Sequence, residues 1–206
     1  MSFSPEVLSY DDLRREADEF LSEYHQSLSI PTPIEEIVEF DLSIDVIPIP
    51  GLRDEIRVDA FLASDLSAIY MDEYTLQFIP ARYRFSLAHE AGHWWLHDEM
   101  YQETKISSVA DWRKVYSDLG DDYRWFEFQA NSFAGLILVP PESLKARFQR
   151  LVGEAEAGGI RRSRLFEHPQ RQRLIEKLAS DFQVSEQTME IRLEKDALIP
   201  GLGADM

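Results

Sequence analysis

The chain of 206 residues contains no cysteine. Disulfides are thereby excluded, as is any metal site built on thiolates, and the composition suits a reducing cytoplasm. Long apolar runs are missing too: no stretch approaches the roughly 20 residues that a membrane span needs. Met1-Ser2-Phe3-Ser4-Pro5-Glu6 has neither the basic start nor the hydrophobic stretch of a secretory leader, so a soluble, cytoplasmic protein is expected. Positive charge is scarce, with 21 Lys and Arg against 38 Asp and Glu and a formal net charge of −17. The deficit is uneven. Residues 1–73 hold 18 acids and 4 bases, residues 74–127 hold 9 and 6, and residues 128–206 hold 11 and 11. An acidic front half repels nucleic acid and suits a basic protein partner, or serves solubility alone.

Against that background, residues 85–97, FSLAHEAGHWWLH, stand out for the spacing His89-Glu90-x-x-His93. Residues four apart on a helix share a face, so two neutral imidazoles can converge on one ion, and zinc suits them. Glu90, next to the first histidine, has the chemistry of a general base toward a metal-activated water. At about 100° per residue, His89, Glu90 and His93 fall in one quadrant, while Ala91, Trp94 and Trp95 take the opposite side.

A catalytic zinc normally takes a third protein ligand and leaves one position open. Glu127 is the best downstream donor: read as a helix, Glu127, Ala130, Asn131 and Ala134 form one stripe, acidic first and otherwise small. Small residues allow close helix approach, and Asn131 is placed to accept the second ring N–H of a liganding histidine. Alternatively, Glu127 is an ordinary acid favoured by the dipole of a helix start. His97 shares the first helical face but lies eight residues from His89, about 12 Å along the axis, too far to join the same ion. It is expected at the rim or on backbone.

Arg84-Phe85-Ser86-Leu87-Ala88-His89-Glu90-Ala91-Gly92-His93, then Glu127-x-x-Ala130-Asn131-x-Phe133-Ala134, then Leu138-Val139-Pro140, resembles the ImmA/IrrE family of zinc metallopeptidases. Three separated blocks in order carry the resemblance, which covers the chain from about Pro33 to Pro140. It implies zinc on His89, His93 and Glu127, with Glu90 catalytic. It also implies a substrate, a helix-turn-helix repressor of the Xre type, cut to relieve repression. Gln129 departs from the pattern, since many relatives carry a second acid there.

The expected fold is α+β: a small sheet packed on the helices that carry the HExxH site. Apolar spacing predicts a helix over 10–25 and a short one from Pro33 to Phe40. Strands are expected over 44–49, 56–62 and 67–71. The acidic and aromatic stretch 98–123, with Tyr101, Trp112, Tyr116 and Tyr123, is either a lid or part of the core. The domain reading is a peptidase unit over 1–152, a linker and basic segment over 153–170, and a helical segment over 171–206 with helix-turn-helix rhythm and Ser185 as N-cap. Arg161, Arg162, Arg164, Arg171 and Arg173 precede that segment, but Glu186, Glu190 and Glu194 punctuate its second helix. DNA binding is therefore disfavoured against a structural or partner-docking role. Two further readings stand beside the peptidase: a protein that sequesters a repressor or toxin without cutting it, and a DNA-binding regulator acting through 161–206.

Overall fold

The structure, a computed structural model, describes residues 7–103, 106, 108–112 and 122–199. The chain divides into two units, Met1–Gln26 with Pro33–Ile137, and Ser27–Thr32 with Leu138–Met206. The fold is mixed α+β, mostly helical, with one three-stranded sheet.

In the first unit, helix α1 (Tyr10–Tyr24) starts at Ser9, which exchanges hydrogen bonds with Asp12: the hydroxyl accepts the Asp12 N–H while the carboxylate accepts the Ser9 N–H. Its apolar stripe, Leu13, Ala17, Phe20 and Leu21, is buried. Helix α2 (Ile34–Glu36) widens into a π turn over Ile37–Asp41 and buries Ile34, Ile37 and Val38. Strand β1 (Asp45–Ile49) follows; Pro48 has no N–H to donate, which suits the edge position β1 holds.

The strand expected over 56–62 is mostly something else. Leu52–Ile56 forms helix α3, closed by Arg57 in the left-handed region at φ 65°, and extended backbone begins only at β2 (Ala60–Leu62). Strand β3 (Ala68–Asp72) is central, parallel to β1 and antiparallel to β2, with Leu62 opposite Ile69. The Ala63 N–H donates to the Ala68 carbonyl at 2.8 Å. Strand N–H groups alternate in direction, so the Leu62 N–H points away from β3, off the free edge of β2.

Asp72 ends β3 and caps helix α4 (Glu73–Phe78) by accepting the Thr75 N–H. Helix α5 (Pro80–Leu96) begins on a proline, where a missing N–H costs nothing. Helices α6 (Asp98–Glu103) and α7 (Asp122–Leu138) complete the unit. Phe20 packs edge-on against Trp95 and Phe133, with ring centroids 5.5 Å apart in each pair, so α1 covers the apolar back of α5 and α7. Trp95 Nε1 donates to Glu16 at 2.9 Å, which satisfies the one polar atom of that ring. Within 98–123, Tyr101 and Ile106 are core, and Ile106 exchanges backbone and hydroxyl hydrogen bonds with Ser64 just beyond β2. Tyr116 and the Tyr123 side chain lie outside the described residues.

The second unit holds helices α8 (Pro141–Ala157), α9 (Arg162–Leu165), α10 (Gln170–Phe182) and α11 (Glu186–Lys195). The segment expected to link from residue 153 is helical as far as Ala157. A mid-helix glycine costs about 1 kcal/mol, and the buried face of Leu144, Phe148 and Val152 that leads into it outweighs this. Helix α10 closes at Gln183, left-handed at φ 54°, and α11 opens at Ser185, whose hydroxyl accepts the Thr188 N–H at 3.1 Å. Leu174, Leu178, Phe182, Met189 and Leu193 are buried. Arg147 and Lys177 both pair with Asp181, which joins α8 to α10. No described helix is long and apolar enough to cross a membrane.

Candidate metal centre

His89 and His93 are one turn apart on α5, and their Nε2 atoms lie 3.0 Å from each other. Glu127, in the second turn of α7, completes the cluster: one carboxylate oxygen is 3.3 Å from His89 Nε2 and the other 3.5 Å from His93 Nε2. Among the described residues these three form the one group of His, Cys, Asp or Glu side chains able to hold a metal. Donor atoms held at 2.0–2.1 Å around a tetrahedral zinc stand about 3.3 Å apart, so the spacing found here fits that ion.

Close helix contact makes the convergence possible. A methyl on Gly92 would lie 3.2 Å from Phe133 Cδ1 and 3.3 Å from the Ala130 carbonyl oxygen. The small stripe of α7, Ala130 and Ala134, therefore sits directly on α5, and Glu127 lies one turn up the same stripe.

A second layer surrounds the cluster. Asn131 Oδ1 is 3.2 Å from His89 Nδ1. His97, expected at the rim or on backbone, is instead buried: its Nδ1 faces His93 Nδ1 at 3.0 Å and its Nε2 faces Gln129 Oε1 at 2.9 Å. Phe126 stacks on His93 with centroids 4.1 Å apart and lies tilted against His97 at 4.3 Å. The sequence alone gives neither His97 nor Gln129 a role at the metal. The available signal was their spacing, His97 one turn after His93 and Gln129 two residues after Glu127.

Charge and burial give each group a distinct protonation. Burial is the main cause that drives His93 down to about 3 and His97 down to about 4, against the upward pull of Glu127 and, for His97, of Gln129, so both rings are neutral near pH 7. For Glu127, burial acts upward, but the hydrogen bond and charge of His89 prevail and hold it well below the usual carboxylate range. His89 moves the other way: burial favours its neutral form, yet the Glu127 hydrogen bond and charge raise its pKa above the ordinary value. The Glu127 charge thus favours a proton on His89 in the absence of a cation. Glu90 is buried, and burial pushes it up to about 7; His89 and the Leu62 N–H oppose that shift and the Glu127 charge adds to it. The N–H that reaches Glu90 is the one that β2 directs off its edge.

Two imidazoles and an ionised carboxylate converge beside a second, buried carboxyl that titrates near neutrality. That donor set is of the kind that holds zinc in metal-dependent hydrolases. Residues 78–194 match the model of the peptidase M78 family, described as the IrrE N-terminal-like domain, and the chain belongs to that family. The family is typically metal-dependent. Among solved structures, a Mycobacterium tuberculosis transcriptional regulator is similar, with a TM-score of 0.54 at 18% identity. The match covers 89% of this chain but only 46% of that one, and at such identity it is a likeness of fold. No match to the chain is found among curated proteins.

Proposed function

We propose that this chain is a zinc-dependent endopeptidase in which His89 Nε2, His93 Nε2 and the Glu127 carboxylate hold the metal. The observation that carries the reading is the three-way approach of those donors at 3.0, 3.3 and 3.5 Å, with Glu90 buried alongside. When bound, zinc supplies Lewis acidity to a peptide carbonyl and to a water molecule. The protein's part is proton movement. Glu90 takes a proton from the attacking water as the new C–O bond forms, then delivers it to the amine nitrogen as the C–N bond breaks. A carboxyl pushed up to about 7 both accepts and donates readily near neutral pH. The Leu62 N–H holds the carboxylate in place.

The substrate in this proposal is a helix-turn-helix repressor of the Xre type, cut to relieve repression. The family resemblance supports it, and the 18 acids against 4 bases in residues 1–73 complement a basic DNA-binding protein. Direct DNA binding through α11 is weaker chemistry: Glu186 and Glu194 are exposed, and Arg192 is buried against Asp196 at 2.6 Å.

The test is incubation of the zinc-loaded protein, and of Glu90→Gln, with a purified helix-turn-helix repressor of the Xre type. The wild type should release defined fragments while Glu90→Gln binds zinc and cuts nothing. Equal cleavage by both removes Glu90 from the mechanism. Tight binding without cleavage by either favours sequestration over proteolysis.

A further inference from the structure

We infer that Gln129 and His97 form a relay that fixes the ring tautomer of His93 and turns its Nε2 lone pair toward the metal. The inference rests on the reading of His93 as a ligand and adds two positioning residues to it.

The argument begins at the far end of the chain of contacts. Gln129 Oε1 is a carbonyl oxygen and only accepts, so at 2.9 Å the His97 Nε2 must carry the hydrogen. A neutral imidazole carries one, which leaves His97 Nδ1 bare. His93 Nδ1, 3.0 Å from it, must therefore donate, and His93 Nε2 is left with an unprotonated lone pair. That nitrogen is the one 3.0 Å from His89 Nε2 and 3.5 Å from the Glu127 carboxylate.

Burial makes the relay necessary. His93, His97 and Gln129 are 2%, 6% and 1% exposed, so bulk water cannot exchange in to satisfy a misplaced hydrogen. Were Gln129 to present its NH2 group, every donor would reverse and His93 Nε2 would bear a hydrogen aimed at the metal position. His89 reaches the same tautomer in one step, through Asn131 Oδ1 at 3.2 Å. His93 needs two steps because its ring is packed deeper, between Phe126 and His97. One helix supplies both ends of the device, since Gln129 and Glu127 sit two residues apart on α7.

The experiment records histidine tautomers in the metal-free wild type by long-range 1H–15N NMR. Expected are Nδ1–H for His93 and Nε2–H for His97 before any zinc is added. Zinc affinity is then measured by chelator competition for the wild type, Gln129→Met and Gln129→Glu, with metal-free melting curves as a control on folding. Gln129→Met keeps the shape and loses the strong acceptor, so affinity should fall about 10- to 100-fold. Gln129→Glu keeps an acceptor and should stay near wild type. An Nε2–H tautomer at His93 in the metal-free protein overturns the relay whatever the variants do. Equal loss in Gln129→Met and Gln129→Glu, or loss in neither, also overturns it. A wild type that binds no zinc defeats the metal reading itself, and the relay with it.

Discussion

Gly92 of α5 and Ala130 of α7 meet so closely that a methyl group on the glycine would lie 3.3 Å from the alanine's carbonyl oxygen. The contact is with backbone, which cannot rotate away. Gly92→Ala therefore asks α7, and Glu127 with it, to give by a few tenths of an ångström. Alanine's higher helix propensity contributes about 1 kcal/mol in the favourable direction, but overpacking costs about 1–3 kcal/mol. The expected outcome is a melting temperature that does not rise, together with weaker zinc binding in a chelator titration. Unchanged zinc affinity would show that the Gly92 approach does not set the position of Glu127.

Of the three ligands, His89 is the one whose proton zinc must displace in the neutral range. Above about pH 4, His93 is neutral, and Glu127 is already ionised. His89 has a raised pKa, so below that pKa it carries a proton that zinc must displace. The sign is fixed: affinity falls as pH falls, by about tenfold per unit once His89 is protonated, and levels off above its pKa. Chelator competition between pH 5 and 8 measures the slope. Affinity that stays flat or rises as pH falls contradicts the protonation scheme.

The C-terminal helices give a stability contrast. Phe182 is fully buried, whereas Ile191 is 49% exposed. Phe182→Ala should lower stability by about 3 kcal/mol, as truncation of a buried aromatic does, while Ile191→Ala should stay within about 0.5 kcal/mol. Urea melts of the two variants decide it; similar losses would mean that α11 buries a different face.

That contrast also shows where the sequence was hard to read. From residue type alone Ile191 belongs in a core and Arg192 on a surface, yet Arg192 shares the helical face of Met189 and Leu193 and is buried with Asp196. The 3.6-residue period contained the answer and the chemistry of the side chain hid it. Regular features were legible: the α1 stripe, the β1 and β3 strands, and the shared face of His89 and His93 all follow from period alone. Helix α3 was not, because it ends on Arg57, a non-glycine residue in left-handed conformation that no local pattern announces. Helical distance excludes His97 from the ion and points it to the rim. Its contact with Gln129 depends on how α7 docks, and tertiary packing is not written in either helix's own sequence.

The central claim is that His89, His93 and Glu127 together hold one zinc ion, and the most direct measurement is zinc content per chain in the wild type and in Glu127→Ala after purification under identical conditions. The account predicts about one zinc per wild-type chain and loss of most of it in the variant. Full retention of zinc by Glu127→Ala, or a wild type that binds none, would contradict it.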